Sequence, residues 1–486
     1  MKNGLKKKVV ALLLSASMLL AACGSEAGSS SSKNSSFSGK ESSADSSSGR
    51  GGSSDDSSSS ADSSSGSGRI NTDNAFYAAE NSYTEFLMDR QRAAMGLSEE
   101  ELAAFLSFVT STNEKYFAKG EAGENYLYSP ISLYLALALC EELTDEKVSG
   151  DLLTALGVKD IKTLESAVDK IVKGISSEKD DKGLTSICRT ANSIWSDDQL
   201  VLDDEAKKAI EHAAEQMFAD IYHTDLQTEE AYEAMNKWVS EKTAGLIKEI
   251  PNKPDGETKM ILFNALYFKK TWKEEIKKEY TEEKEFTLPS GETVKTDMMR
   301  VSPKDNKKYY KTANTVTAPL YYSDGSYCIF IRPNENCDRQ AMSEIMKNEM
   351  PEIISAYANK QLKSADSVYF TIPKLEYEYK VEDMQKELQA LGVNSVFGTK
   401  DDPFSPLDGR NDEKLYVSTI TQKCKIIMNE EGTEAAAVTQ IDMKCNAAFE
   451  EPEEIIEMNL DHSYAYVIMS SNNIPLFVGV VENPAK

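Results

Sequence analysis

The chain has 486 residues, 40% of them hydrophobic and 28% charged, and a net charge of −26. That length and apolar content can bury one large core or two medium ones. The charge argues against nucleic acid, whose phosphates need lysine and arginine; it reads first as a solubility device and second as a preference for cationic partners.

Lys2, Lys6, Lys7 and Lys8 form a basic start, followed by an apolar run from Val9 to Ala22. The run is short for a permanent span and has the flanks of an export signal. It ends in L-A-A-C (Leu20 to Cys23), which resembles a bacterial lipobox. That resemblance implies removal of residues 1–22 and lipidation of Cys23, with a plain signal peptide as the alternative. Acyl chains anchor through buried methylenes at about 0.8 kcal/mol each, so two or more hold durably. Residues 23–69 are mostly Ser, Gly and Asp, which cannot form a core and predict a disordered linker. A flexible chain of that length spans about 35–40 Å. Residues 70–98 read as an additional region, with a helical pattern from Glu80 to Ala94. The expectation is an exported protein, lipid-anchored to a membrane and displayed at the cell surface.

From residue 99 the patterning is that of a folded domain. Leu102, Phe105, Leu106, Val109 and Phe117 fall on one face of a helix over Glu99 to Phe117, with Ser98 as its cap. Pro130 to Glu142 is apolar nearly all round and predicts a buried helix. Leu202 to Met217 and Glu229 to Thr243 predict surface helices, whereas later alternating runs such as Val368 to Ile372 and Tyr464 to Met469 predict strands. Helices early and strands late indicate an α+β class rather than repeating βαβ units.

Asn429 to Met443 reads N-E-E-G-T-E-A-A-A-V-T-Q-I-D-M. At a period of two, Thr433, Ala435, Ala437, Thr439, Ile441 and Met443 share one face, and Glu434, Ala436, Val438, Gln440 and Asp442 the other. The first face carries no charge and the segment no proline, so a central place in a sheet is permitted. Its small residues anchor weakly, and Gly432 is a flexible hinge. The segment is suited to live outside a sheet and also to enter one.

No catalytic constellation stands out. The histidines are His212, His223 and His462, none in H-E-x-x-H or metal-ligand spacing with cysteine, and there is no G-x-S-x-G or phosphate loop. No metal and no cofactor is expected. Cys140, Cys188, Cys328 and Cys424 sit in apolar contexts and read as buried thiols. Pairing among these, Cys337 and Cys445 stays open.

E-E-G-T-E-A-A-A (Glu430 to Ala437) resembles the proximal hinge of the serpin reactive-centre loop. N-Y-L-Y-S-P-I-S (Asn125 to Ser132), M-N-K-W-V-S-E-K-T-A-G-L-I (Met235 to Ile247), F-N-A-L-Y-F-K-K-T-W (Phe263 to Trp272), L-Y-V-S-T-I (Leu415 to Ile420) and P-L-F-V-G-V-V-E-N-P (Pro475 to Pro484) are similar to further serpin blocks and occur in family order. The resemblance implies a serpin-like fold over 99–486, with helices around three β-sheets and a reactive loop at about 430–458. It implies no enzyme but a suicide-substrate inhibitor of the inhibitory type, since the hinge residues Glu430, Glu431, Gly432, Thr433, Glu434, Ala435, Ala436 and Ala437 include no proline or bulky side chain. Its partner would be a serine or cysteine protease held covalently by a monomeric inhibitor. Family spacing places the reactive bond at Asn446–Ala447, with Lys444–Cys445 and Ala447–Ala448 as alternatives, and an elastase-like target ranks first. The acidic run Glu450 to Glu454 is a solvated charge run or an exosite. Ser129, Ser132 and Asn264 match the shutter, Trp272 matches the breach, and Gln422 stands where the family usually has histidine. A non-inhibitory serpin-fold surface protein and a solute-binding lipoprotein with a two-lobed cleft are the alternatives.

Overall fold

The computed structural model describes residues 96–486 except 180–184, 409–413, 434–453 and the single positions 251, 305, 382, 399 and 401. The first helix, α1 (Glu99–Lys119), starts at a reciprocal cap. The Ser98 hydroxyl accepts the Glu101 N–H, and the Glu101 carboxylate accepts the Ser98 N–H at 2.7 Å. Phe105, Phe108, Val109, Tyr116 and Phe117 are its buried stripe, whereas Leu102 and Leu106 lie half-buried at the flank. The strand β1 (Tyr126–Tyr128) leads into α2 (Pro130–Glu142). Proline suits the first turn, where no N–H is needed, and the Ser129 hydroxyl accepts the Ser132 N–H.

Next come α3 (Gly150–Ala155), α4 (Ile161–Ile175), β2 (Ser177–Lys179), β3 (Thr185–Asp197), α5 (Asp204–Met217), β4 (Ala219–Thr224), α6 (Glu229–Lys242) and β5 (Met260–Thr271). α5 begins later than its periodicity predicts because the Asp203 carboxylate accepts the N–H groups of Glu205 and Ala206 and so sets the start. The second half supplies β6 (Thr281–Thr287), β7 (Thr293–Val301), β8 (Lys308–Lys311), β9 (Thr315–Tyr321) and β10 (Tyr327–Pro333). Helices α7 (Arg339–Asn348) and α8 (Met350–Ala358) precede β11 (Lys363–Ser364), β12 (Ser367–Pro373) and β13 (Leu375–Val381). Short helices α9 (Gln385–Ala390) and α10 (Ser405–Asp408) then lead to β14 (Gln422–Asn429), β15 (Gly432–Thr433), β16 (Ile455–Asn459), β17 (Tyr464–Met469) and β18 (Pro475–Val481).

These strands form three sheets with helices around them, the α+β architecture expected. The large sheet runs β13–β14–β15–β5–β3–β2, with β4 parallel to β3. A second runs β16–β12–β7–β6, and a third β1–β18–β17–β10–β9–β8–β11. Alternation in Tyr464–Met469 does not mark a solvated face, because β17 and β18 are buried on both sides. α2 packs on β18, while Phe268 of β5 and Tyr377 of β13 reach Phe477 and Tyr466 from the large sheet. Cys140, Cys188, Cys328 and Cys424 are buried free thiols and Cys337 is a half-buried one. Burial pushes Cys140 and Cys424 up to about 12, so they pack as small apolar groups.

The first and last family-like blocks meet. Asn125 accepts the N–H groups of Glu482 and Asn483 and donates to the Asn483 carbonyl at 2.8 Å. Glu482 is fully buried, and burial raises its carboxyl above the ordinary value despite Arg339 at 3.1 Å. Arg339 also donates to the Phe117 carbonyl and lies over the Phe117 ring. Arg339→Leu leaves the Glu482 charge uncompensated. It is expected to cost about 3 kcal/mol in chemical denaturation; an unchanged midpoint would remove this pair from the account of stability.

Candidate functional site

The large sheet is interrupted between β14 and β5. Among the described residues the two strands pair with each other nowhere, and only β15 lies between them. Asn429 pairs with Gly432 and Met428 with Thr433, so the chain reverses through Glu430–Glu431 and re-enters the sheet. On the other side Gly432 faces Thr271 and Thr433 faces Lys270. Glycine is required here, since its φ is +154° and a Cβ would run into the Lys270 carbonyl oxygen and the Thr271 Cα. Beyond β15, Leu266 and Phe268 of β5, Ile426 and Ile427 of β14 and Phe477 of β18 line an apolar cavity whose wall includes Thr433.

Several groups hold the re-entrant turn. Thr433 is 3% exposed, and its hydroxyl lies 2.7 Å from the Tyr322 hydroxyl. Tyr322 stacks on Trp272 with ring centroids 4.5 Å apart and an interplanar angle of 9°. Trp272 donates its indole N–H to the Asn429 carbonyl at 2.9 Å and its backbone N–H to the Glu431 carbonyl at 3.0 Å, so it grips both arms of the turn. The buried Glu430 carboxylate accepts from Lys374 Nζ at 2.9 Å and from the Thr281 hydroxyl at 2.8 Å. Burial alone would raise its pKa, but these bonds outweigh it and hold the carboxyl below the ordinary value. Beside the turn, buried Lys270 pairs with Asp324, whose carboxyl burial would raise and the lysine lowers.

At the far end of β14, Gln422 faces the start of α2. Its Oε1 accepts the Ser129 N–H and its Nε2 donates to the Ser129 carbonyl, both at 2.9 Å. The Ser129 hydroxyl lies 2.9 Å from the Leu476 carbonyl and 3.1 Å from Ser132 Oγ. Ser129, Ser132 and Gln422 therefore form one cluster. Asn264 does not join it: its Nδ2 donates to Asn192 Oδ1 at 2.7 Å on β3, and its Oδ1 is buried without a partner.

Of the hinge residues, Glu430, Glu431, Gly432 and Thr433 are placed. Glu434, Ala435, Ala436 and Ala437, the candidate bond residues Lys444, Cys445, Asn446, Ala447 and Ala448, and Cys23 lie outside the described residues. Both ends of the 430–458 stretch are strands rather than loop: β15 at one end and β16, parallel to β12, at the other. Glu454, the last member of the acidic run, is tied down, accepting from the Tyr309 hydroxyl at 2.5 Å while its N–H donates to Asp366. The anchors Tyr322, Lys374 and Thr281 lie at or just beyond the ends of strands distant in sequence, and no local pattern marks them.

The family model for serpins, described as serine protease inhibitors, matches residues 110–484. The chain belongs to the serpin family. Serpin-Z1A of Triticum aestivum is 28% identical over 396 residues, covering 79% of this chain and 95% of its own. The thermophilic serpin tengpin in its native state superposes with a TM-score of 0.68 at 26% identity, covering 80% of this serpin and 95% of that chain. Serpin48, described as a highly specific serpin in the insect Tenebrio molitor, gives a TM-score of 0.65 at 25% identity, covering 80% of this serpin and all of its own chain. Members of the family are generally protease inhibitors, and the three-sheet topology replaces the βαβ repetition expected of a solute binder.

Gln422→His keeps one polar contact to Ser129 and is expected to fold normally, whereas Gln422→Leu loses both bonds and is expected to cost about 2 kcal/mol; equal melting temperatures for the two would contradict the clamp. Because the Glu430 pKa is lowered from its ordinary 4.5, its pairing stabilises the native state above that pH and the contribution fades as pH falls through the lowered value. Glu430→Gln is expected to cost about 1 kcal/mol at neutral pH, and the difference from the parent should shrink as the pH falls below 4.5 and vanish once the carboxyl is protonated in the folded and unfolded chain alike. A difference independent of pH would show that the charge is not what matters.

Proposed function

We propose that this serpin inhibits a serine protease, or a cysteine protease with the same acyl chemistry, by acting as a suicide substrate. The observation that carries the reading is the seating of Gly432–Thr433 between β14 and β5, where those strands have no other shared neighbour among the described residues. In this reading the protease nucleophile attacks the carbonyl of the reactive residue and the peptide bond breaks. The new amino terminus leaves and an acyl-enzyme remains. Freed at its far end, the segment extends β15 along the two unpaired strand edges, as an added strand does in other sheets. Continued from Thr433 at a period of two, Ala435, Ala437, Thr439, Ile441 and Met443 share its side and bring no charge into the sheet. Deacylation fails because the tethered protease is carried away from its working geometry.

Asn446–Ala447 is the proposed reactive bond, with Lys444–Cys445 and Ala447–Ala448 as the neighbouring registers, and an elastase-like protease the proposed target. The lipobox-like Leu20 to Cys23 supports an exported inhibitor tethered by lipid on a flexible linker. The test is to mix the protein with elastase-like, trypsin-like and subtilisin-like proteases, run denaturing gels and weigh the released peptide. A detergent-stable adduct is expected and locates the bond; cleavage with no adduct from any protease rejects the mechanism. Thr433→Arg puts a charge where a buried hydroxyl sits. It is expected to turn most of the adduct into plain cleaved product, and an unchanged adduct fraction would count against insertion.

A further inference from the structure

Three helices meet at a set of donor atoms that the sheet opening does not use. Glu142 ends α2, Glu165 lies on α4 and His212 on α5, and these helices pack on one another. His212 Nε2 is 3.8 Å from Glu142 Oε2 and 3.7 Å from Glu165 Oε1. One donor atom from each residue falls within 4.8 Å of the other two. These separations are too long for hydrogen bonds. They are close to the edge of a zinc tetrahedron, about 3.4 Å for metal–ligand bonds of 2.0–2.2 Å.

The environment of Glu142 is the second observation. Its side chain is 2% exposed, and its Oε1 is buried and accepts no hydrogen bond. Among the described residues, no lysine or arginine pairs with Glu142 or Glu165. A carboxylate so enclosed beside a second one is held toward its protonated form unless a positive charge sits between them. The exposed edge of His212, 56% accessible, leaves a path for a small ion and room for water as a further ligand.

We infer that Glu142, Glu165 and His212 form a binding site for a divalent cation of the zinc class. An imidazole nitrogen with two carboxylates is a donor set zinc accepts, whereas calcium and magnesium take sets made of oxygen. The cation joins three helices that are separate in sequence, and α2, the helix it ends on, begins at the Ser129–Ser132 cluster under β14. Binding to the folded chain alone raises its melting temperature by mass action.

The test uses the full chain stripped with chelator and titrated with Zn²⁺ by calorimetry, then with Co²⁺ by visible absorption. One equivalent of Zn²⁺ per chain is expected, with a rise in melting temperature and a Co²⁺ band of low-coordinate intensity. His212→Ala and Glu165→Gln, both at accessible positions, are each expected to weaken binding roughly tenfold or more, since even a ligand's outer partner is worth that much. His223→Ala and His462→Ala should leave it intact. Undiminished affinity in His212→Ala, or no stoichiometric uptake by the parent, would overturn the site. Glu142→Gln separates metal loss from misfolding, because it removes a buried charge: a normal melting temperature without Zn²⁺ and no rise with it is the expected pair of results.

Discussion

The large sheet depends on one missing side chain. Gly432 lies against the Lys270 carbonyl and the Thr271 Cα at a distance that no other residue allows, and this contact lets the chain re-enter between β14 and β5. The two pairs it makes with Thr433 then set the register for whatever continues from them. Along the sequence, Ala435 and Ala437 keep the parity of Thr433 at a period of two, whereas Glu434 and Asp442 have the opposite parity. A slip of one residue would exchange the faces. The hydroxyl pair of Thr433 and Tyr322 and the grip of Trp272 on Asn429 and Glu431 make that slip unfavourable.

How much of this was readable from residues alone varies with the range of the interaction. The helices α1, α2 and α6 were legible because their signals are local: the Ser98 cap and apolar face of α1, the unbroken apolar run of α2 and the periodicity of α6. The need for glycine at 432 was legible for the same reason. Alternation in Tyr464–Met469 identified a strand but not its surroundings, since a period of two says nothing about which faces another layer covers. Lys374, Thr281 and Tyr322 were not legible as anchors. Each acts across the fold on a turn far along the chain, and a lysine after Pro373 looks like any surface lysine until Glu430 is brought to it. The same holds for Asn264, whose motif points to the shutter while its amide turns to Asn192.

Polar groups near the opening divide into clamps and supports. The Gln422 amide meets the Ser129 backbone with one donor and one acceptor, much as a peptide group does in a ladder, and neither bond involves a titrating group. Glu430 is different, because its contribution depends on charge and therefore on acidity and salt. Lys270 and Asp324 bury a charge pair beside the turn, where each satisfies the other and removal of either would leave a lone charge inside. The bonds of Gln422 to Ser129 are thus neutral, whereas the turn combines the neutral grip of Trp272 with the charged bond of Glu430.

The placement of the last three strands has a mechanical consequence. β17 lies between β10 and β18, β18 lies between β17 and β1, and Asn125 ties the end of β18 back to the start of the domain. The stretch 434–453 lies entirely before them. A single break there would divide the covalent chain into two pieces of very unequal length. The shorter piece would remain woven into the middle of a sheet by backbone bonds and a fully buried surface. The severed molecule therefore stays one particle in solution, and its two fragments part only under conditions that unfold the whole domain.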